Sequence, residues 1–315
     1  MNKIRLTFML SLGVLLCTGL SQAQDKSERK KKNKKEIAAA AKADSIKKAK
    51  PAKPTIAEKI KSSKKSEGLF TIYQDTVTGS IQLFVKKDQL GKEFIYQSYS
   101  MNGPTTLGLN QSMHRSTNII NINKANDKIE FGIVNTNFYY DKNNAVSKTA
   151  GTDISEAIFL AEKVVAEDSN GYLIAADGLF LSEKMDPVKP IMSPGIPPGA
   201  VFNLGNFNAA KSKYHSIRSY PNNTDVLVDL AYDNPAPLNG GGDDITDARY
   251  VRVRIQHTFL EMQKNDFRAR RDDPRVGYFG QTVNDQTSMK ATPYKDIIHR
   301  WYLTKKDPGA FLSEP

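Results

Sequence analysis

The stretch from Tyr250 to Met262 leaves this chain little choice of fold. Val251, Val253, Ile255, His257 and Phe259 fall on one side of an extended backbone, and Arg252, Arg254, Gln256 and Thr258 fall on the other. Period two over this length fits a strand with one buried and one wet face. Upstream runs carry the same signature. Leu69–Tyr73 and Ile81–Val85, joined by turn residues Asp75 to Gly79, predict a hairpin over 69–85. Glu93–Met101 sets Phe94, Tyr96 and Ser98 against Ile95, Gln97 and Tyr99. Asn118–Ile122 and Lys128–Val134 pair across Ala125-Asn126-Asp127, and Asn137–Tyr140 reads as the next strand of that meander. Tyr172–Ala176, Leu179–Leu181 and Asp225–Ala231 are further short runs, and Ile154–Ala166 reads as two short strands. Pro187–Gly205 and Pro235–Asp244, rich in proline and glycine, read as loops. The expected fold is mainly β: antiparallel strands in a sandwich or barrel-like domain over 67–315, either undivided or in two subdomains that part near 185–220.

Two segments of another character precede this body. Residues 1–23 have a basic start at Lys3 and Arg5, an apolar run from Leu6 to Leu16, and Ser21-Gln22-Ala23 as a small-x-small cleavage site. That is the pattern of a secretory signal peptide cleaved after Ala23. Cys17 raises a lipoprotein alternative, but a lipid-accepting cysteine follows a small residue and Leu16 stands there. Cleavage after Ala23 removes the only cysteine, so the exported protein would rely on its core and not on disulfides.

Residues 24–66 form a Lys/Ala/Pro-rich linker with too few large apolar residues to offset the entropy of ordering it. Thr55 and Glu58 have the spacing of a helix capping box. The chain's net charge of +11 is unevenly spread: +2 over 1–23, +11 over 24–66 and −2 over 67–315. A nearly neutral body excludes a basic nucleic-acid-reading domain. The tail remains a candidate for electrostatic attachment to an anionic envelope polymer, in a periplasmic or extracellular location.

The usual catalytic constellations are missing from the sequence. His114, His215, His257 and His299 include no pair four residues apart, and H-E-x-x-H, G-x-S-x-G and Walker motifs are absent. His257 shares the apolar face of its run and reads as a core histidine; His114 and His215 read as surface groups near turns. The paired acids Asp243 and Asp244 lack the spaced oxygens of a calcium loop. No catalytic, cofactor or metal residue is assigned to this chain. The densest local motif runs from Arg270, Arg271, Asp272 and Asp273 through Pro274 and Arg275 to Tyr278 and Phe279. It is expected to form a corner latched by Arg–Asp pairs, or a docking surface. Arg300 and Trp301, the only tryptophan, mark a second such segment.

These motifs also carry a resemblance. Gly68–Tyr73 with the following hairpin, Arg270–Phe279 and Arg300–Pro308 resemble the N-terminal region of large secreted bacterial zinc metalloproteases of the metzincin-like type. The resemblance covers about residues 60–315. It implies a non-catalytic β domain that positions or restrains a protease catalytic domain, its partner. Zinc would belong to that domain, whose H-E-x-x-H helix would follow Pro315. No residue of this chain matches its ligands, and the chain reads as a truncated protease or a stand-alone relative. The alternative is a periplasmic or surface module that binds a glycan or peptide. An autonomous hydrolase is disfavoured by the missing motifs.

Overall fold

Each patterned run becomes a strand by finding neighbours whose buried faces match its own. The structure, a computed structural model, describes residues 54–152, 154–189, 194–264, 270–290, 294–300, 303 and 305–312. The signal peptide, most of the Lys-rich tail and Trp301 lie outside the described residues.

The strands are β1 (Ser63–Ser66), β2 (Thr71–Asp75), β3 (Ile81–Lys86), β4 (Glu93–Asn102), β5 (Met113–Ala125), β6 (Lys128–Ile133) and β7 (Phe138–Tyr139). They continue with β8 (Ala157–Glu167), β9 (Gly171–Ala175), β10 (Asn206–Tyr220), β11 (Asn223–Asp233), β12 (Tyr250–Glu261), β13 (Gly280–Asp285) and β14 (Tyr294–Ile298). Two single-turn helices are α1 (Ile56–Lys59) and α2 (Asp177–Phe180). Eleven strands form one antiparallel, nearly closed, barrel-like sheet in the order β1-β2-β3-β9-β8-β6-β5-β4-β12-β11-β10. The mainly β antiparallel architecture read from the sequence is therefore the one observed. β14, β13 and β7 form a second, small sheet.

The end of β10 meets the β1–β2 turn. The Leu69 N–H donates to the Tyr220 carbonyl at 2.6 Å. The Phe70 N–H donates to Thr224 Oγ1 at 3.1 Å, and the Ser219 hydroxyl donates to the Phe70 carbonyl at 2.6 Å. Thr224 is fully buried, so this junction exchanges water for a complete set of partners. Gly68 permits the approach, because a Cβ there would stand 2.4 Å from the Tyr220 backbone nitrogen.

The inner face is filled by one cluster with aromatic rings from distant elements at its centre. Phe259 of β12 meets Phe70 edge-on at 5.6 Å, Phe180 edge-on at 5.9 Å and Tyr96 at 5.5 Å between centroids. Offset and edge-on contacts of this kind add to the burial of the rings themselves. In β12 every second residue from Val251 to Phe259 is buried, as its alternation predicts.

Several expectations need correction. Ile154–Ala166 yields no pair of short strands but the single β8. Its first part pairs with β6 and its last part with β9, with a register shift between Val164 and Ala166. A bulge there lets one strand bend from one stretch of sheet into the next. Phe138 and Tyr139 leave the meander and pair in parallel with Asn284 and Asp285 of β13. Leu179 and Phe180 belong to α2, because Asp177 anchors a turn instead of a strand pairing. The ordered body starts before residue 67: Thr55 and Glu58 make the capping box on α1, and β1 pairs with β2. The stretch 185–220 contains β10, which belongs to the same sheet as β9. His114 and His215 are exposed as expected; His114 follows the turn at 111–112 at the start of β5, whereas His215 lies within β10 and not near a turn.

Gly68→Ala tests the closure. The added methyl meets backbone, which cannot swing aside, so a loss of about 1–3 kcal/mol is expected in denaturant unfolding. A control at Gly240, where a Cβ would meet nothing within 4 Å and the backbone is not left-handed, isolates the steric effect by the difference between the two variants.

Candidate functional site

The Arg/Asp corner is held through its backbone. The Asp272 N–H donates to the Asp296 carbonyl at 2.9 Å, and the Arg270 carbonyl accepts from Ile298 N–H at 3.0 Å. Arg271 bridges Ile297, so residues 270–272 lie along β14. The latch expected from the arginines is local: Arg275 grips Asp273, two residues back, with Nε at 2.9 Å and Nη2 at 2.6 Å. This pair lowers the Asp273 carboxyl below its ordinary range and raises Arg275. Arg275 is 85% exposed and Asp273 38%, so water screens the attraction. Asp272 accepts from the Asp273 N–H at 2.9 Å, which shapes the turn. Asp273→Ala should accordingly shift the melting temperature by no more than about 2 °C, read by calorimetry.

Beyond the turn, apolar side chains face water. Phe279 is 90% exposed although its carbonyl accepts from His299 N–H at 2.8 Å. Tyr278 and Val276 are exposed beside it, and Arg300 is exposed further along. On the small sheet, Asn284 of β13 has Phe138 and Tyr294 as its two lateral partners. Laterally paired residues project from the same face, so both exposed rings flank Asn284 in one row. The other face is fastened by buried Asp285, which accepts from Lys295 Nζ and from Thr287 Oγ1 at 2.6 Å. Lys295, its first cause, and Thr287 hold this carboxyl below the usual range. The Lys295 ammonium also lies 5.3 Å from the Tyr139 ring centroid. Of the sequence-predicted residues, the structure thus brings Arg270, Arg271 and Asp272 against the edge of β14 and Phe279 beside His299; Trp301 is outside the described residues.

A second set of polar residues was not singled out in the sequence. The segment 177–189 enters the core with Leu179, Phe180, Met185 and Val188 buried. Its acids tie it to the wall. Asp177 accepts from the Ile81 N–H at 3.0 Å and from Tyr214 at 2.8 Å. Glu183 accepts from Tyr232 at 2.9 Å, and Asp186 accepts from Arg115 Nε at 2.6 Å. Burial first, then these carboxylates, raise the Tyr214 and Tyr232 hydroxyls far above their ordinary value.

His257 lies beside them. Its Nδ1 is 2.9 Å from the Tyr96 hydroxyl, while its buried Nε2 has no partner among the described residues. Burial lowers its pKa to about 4; Asp186 opposes that shift and Arg115 adds to it. Local patterning marked His257 as buried, but no local signal ties Arg115 to an acid 71 residues away.

A family model for a domain of unknown function, DUF5117, matches residues 110–306. The chain belongs to this family. No curated protein and no solved structure matches it. The DUF5117 segment holds β5 to β14, the Arg/Asp corner and Asp186. The strands β1 to β4 precede it yet share its sheet, with β4 between β5 and β12. Among the described residues of this DUF5117 chain, no three His, Cys, Asp or Glu side chains gather as a metal-holding group.

His257 gives the DUF5117 fold a testable acid response. The native state disfavours its proton, so its contribution is complete above the unfolded pKa of about 6.5. It is lost as pH falls toward 4, a change on the order of 3 kcal/mol. Denaturant unfolding at pH 7.5 and pH 5 should show this slope in the parent, and a shallower slope in His257→Gln.

Proposed function

We propose that this chain is an exported, non-catalytic docking module, and that the Arg/Asp corner and the small sheet seat a protease-type catalytic domain. The observation that carries the reading is the exposure of Phe279, with Tyr278 beside it and Phe138 and Tyr294 on the sheet that the corner lines. Large apolar side chains that their own fold leaves uncovered mark contact sites, and here they stand at both ends of the small sheet. Asp285 fastens β13 to β14 through Lys295, and a braced platform loses little entropy on association. The sequence resemblance supplies the partner's class: a zinc metalloprotease catalytic domain. In this reading the DUF5117 chain positions or restrains that domain and supplies no zinc ligand. The basic tail would add a salt-sensitive tether to anionic envelope material.

Phe279→Ala and Tyr278→Ala test the seat. Each should weaken association with a separately expressed catalytic domain by about tenfold or more, measured by calorimetric titration. Both variants should keep the parent's melting temperature, because neither side chain is buried. Unchanged affinity in the double variant would refute this docking face.

A further inference from the structure

The outer face of the barrel offers a site unrelated to the docking sheet. A cleft of about 350 Å3 lies between β12, the end of β4 and the loop that precedes β12. Arg252 and Arg254 line it, with Asn102, Asp244, Thr246 and Tyr250 around them. Its two acids are already engaged. Both oxygens of buried Asp229 are held by Arg254, through Nε at 2.7 Å and Nη2 at 3.3 Å. Asp244 accepts from the Thr105 hydroxyl at 2.9 Å and from the Thr105 backbone N–H, which fixes the loop against the end of β4.

Arg252 has no counterpart. It is exposed and makes no hydrogen bond or ion pair among the described residues. Its cross-strand partner on β11 is Ala231, which brings neither charge nor reach. On the β10 side, Lys213 is the lateral partner of Asp229, and the His215 ring approaches the same carboxylate at 3.9 Å. Arg254, and not Arg252, satisfies the buried Asp229 carboxylate. The surplus guanidinium borders a concave, polar space.

We propose that this cleft binds a carboxylate on an acidic peptide segment, with Arg252 as the recognising fork. A guanidinium presents paired N–H donors in the geometry of a carboxylate, and a partly enclosed site strengthens such bonds relative to open water. The volume admits one or two side chains. A sugar acid carries the same group but usually also needs an aromatic face. Tyr250 does not offer one freely, since Lys211 and Arg249 lie over its ring at 4.6 and 5.5 Å. Arg254 is a positioning residue: it holds Asp229, and so keeps that acid from claiming Arg252.

The test uses the whole chain with three probes: acetyl-Glu-Glu amide, acetyl-Gln-Gln amide and digalacturonate. Titration is followed by the arginine Nε–H NMR signals, so that contacts with the basic tail are not mistaken for cleft binding. The expected result is saturable shifts at Arg252 with the glutamate peptide. Arg252→Ala should weaken that binding at least about tenfold, the loss appropriate to a charge-assisted pair. Arg252→Lys should restore only part of it, because an ammonium lacks the fork. Melting temperatures should not change, since Arg252 supports nothing else. The proposal is overturned if the glutamine peptide binds equally well, if Arg252→Ala leaves the affinity unchanged, or if only digalacturonate shifts Arg252.

Discussion

The hydrogen bond from the Leu69 N–H to the Tyr220 carbonyl ties the first part of an eleven-stranded sheet to its last strand. A sheet that curls this far has two obligations. Its terminal edges carry unpaired backbone groups, and its inner face must be filled. The Gly68–Phe70 junction addresses the first at one end of β10. The segment 177–189 and the rings around Phe259 address the second. Neither solution works alone: Phe70 donates its backbone N–H to the closure and its ring to the core. The acids of the filling segment reach β3, β5, β10 and β11, so the interior also holds the wall in position.

Arginine and aspartate appear here in two arrangements with different physical weight. The Asp273–Arg275 pair is adjacent in sequence and open to water, and it shapes a turn more than it stabilises the fold. Asp229 and Arg254 face each other across two strands, and the carboxylate is buried. The charge-dense segment attracts the eye, yet the charges with structural consequence are isolated ones whose partners arrive from elsewhere. Burial decides which pairs matter, and local density of charge does not report burial.

The same distinction explains what was legible in the sequence. The strands β2, β3, β4, β6, β11 and β12 could be read because one or both faces are buried and their alternation or apolar run is unbroken. β10 was missed although it is the longest strand. It is an edge strand rich in Lys, Ser and Asn, and two register shifts break its period. β13 and β14 escaped for a related reason, since their small sheet buries little beyond Asp285 and Ile298. At the candidate site, the corner residues were visible as a motif, while Arg115, Asp186 and Asp285 were not. Their roles depend on contacts made across the fold, which no window of neighbouring residues contains.

The position of β4 carries a kinetic consequence. It is made early but sits between β5 and β12, and Tyr96 meets His257 across 161 residues of chain. Until β12 emerges, one edge of β4 stays open, and the ring-bearing face of Phe94 and Tyr96 lacks its cover. Contacts so distant in sequence require costly loop closure before they return any stabilisation, which places this chain among slow folders. A half-made molecule therefore carries an adhesive edge for as long as the later strands are missing, and its yield in any cell depends on how well that interval is shielded.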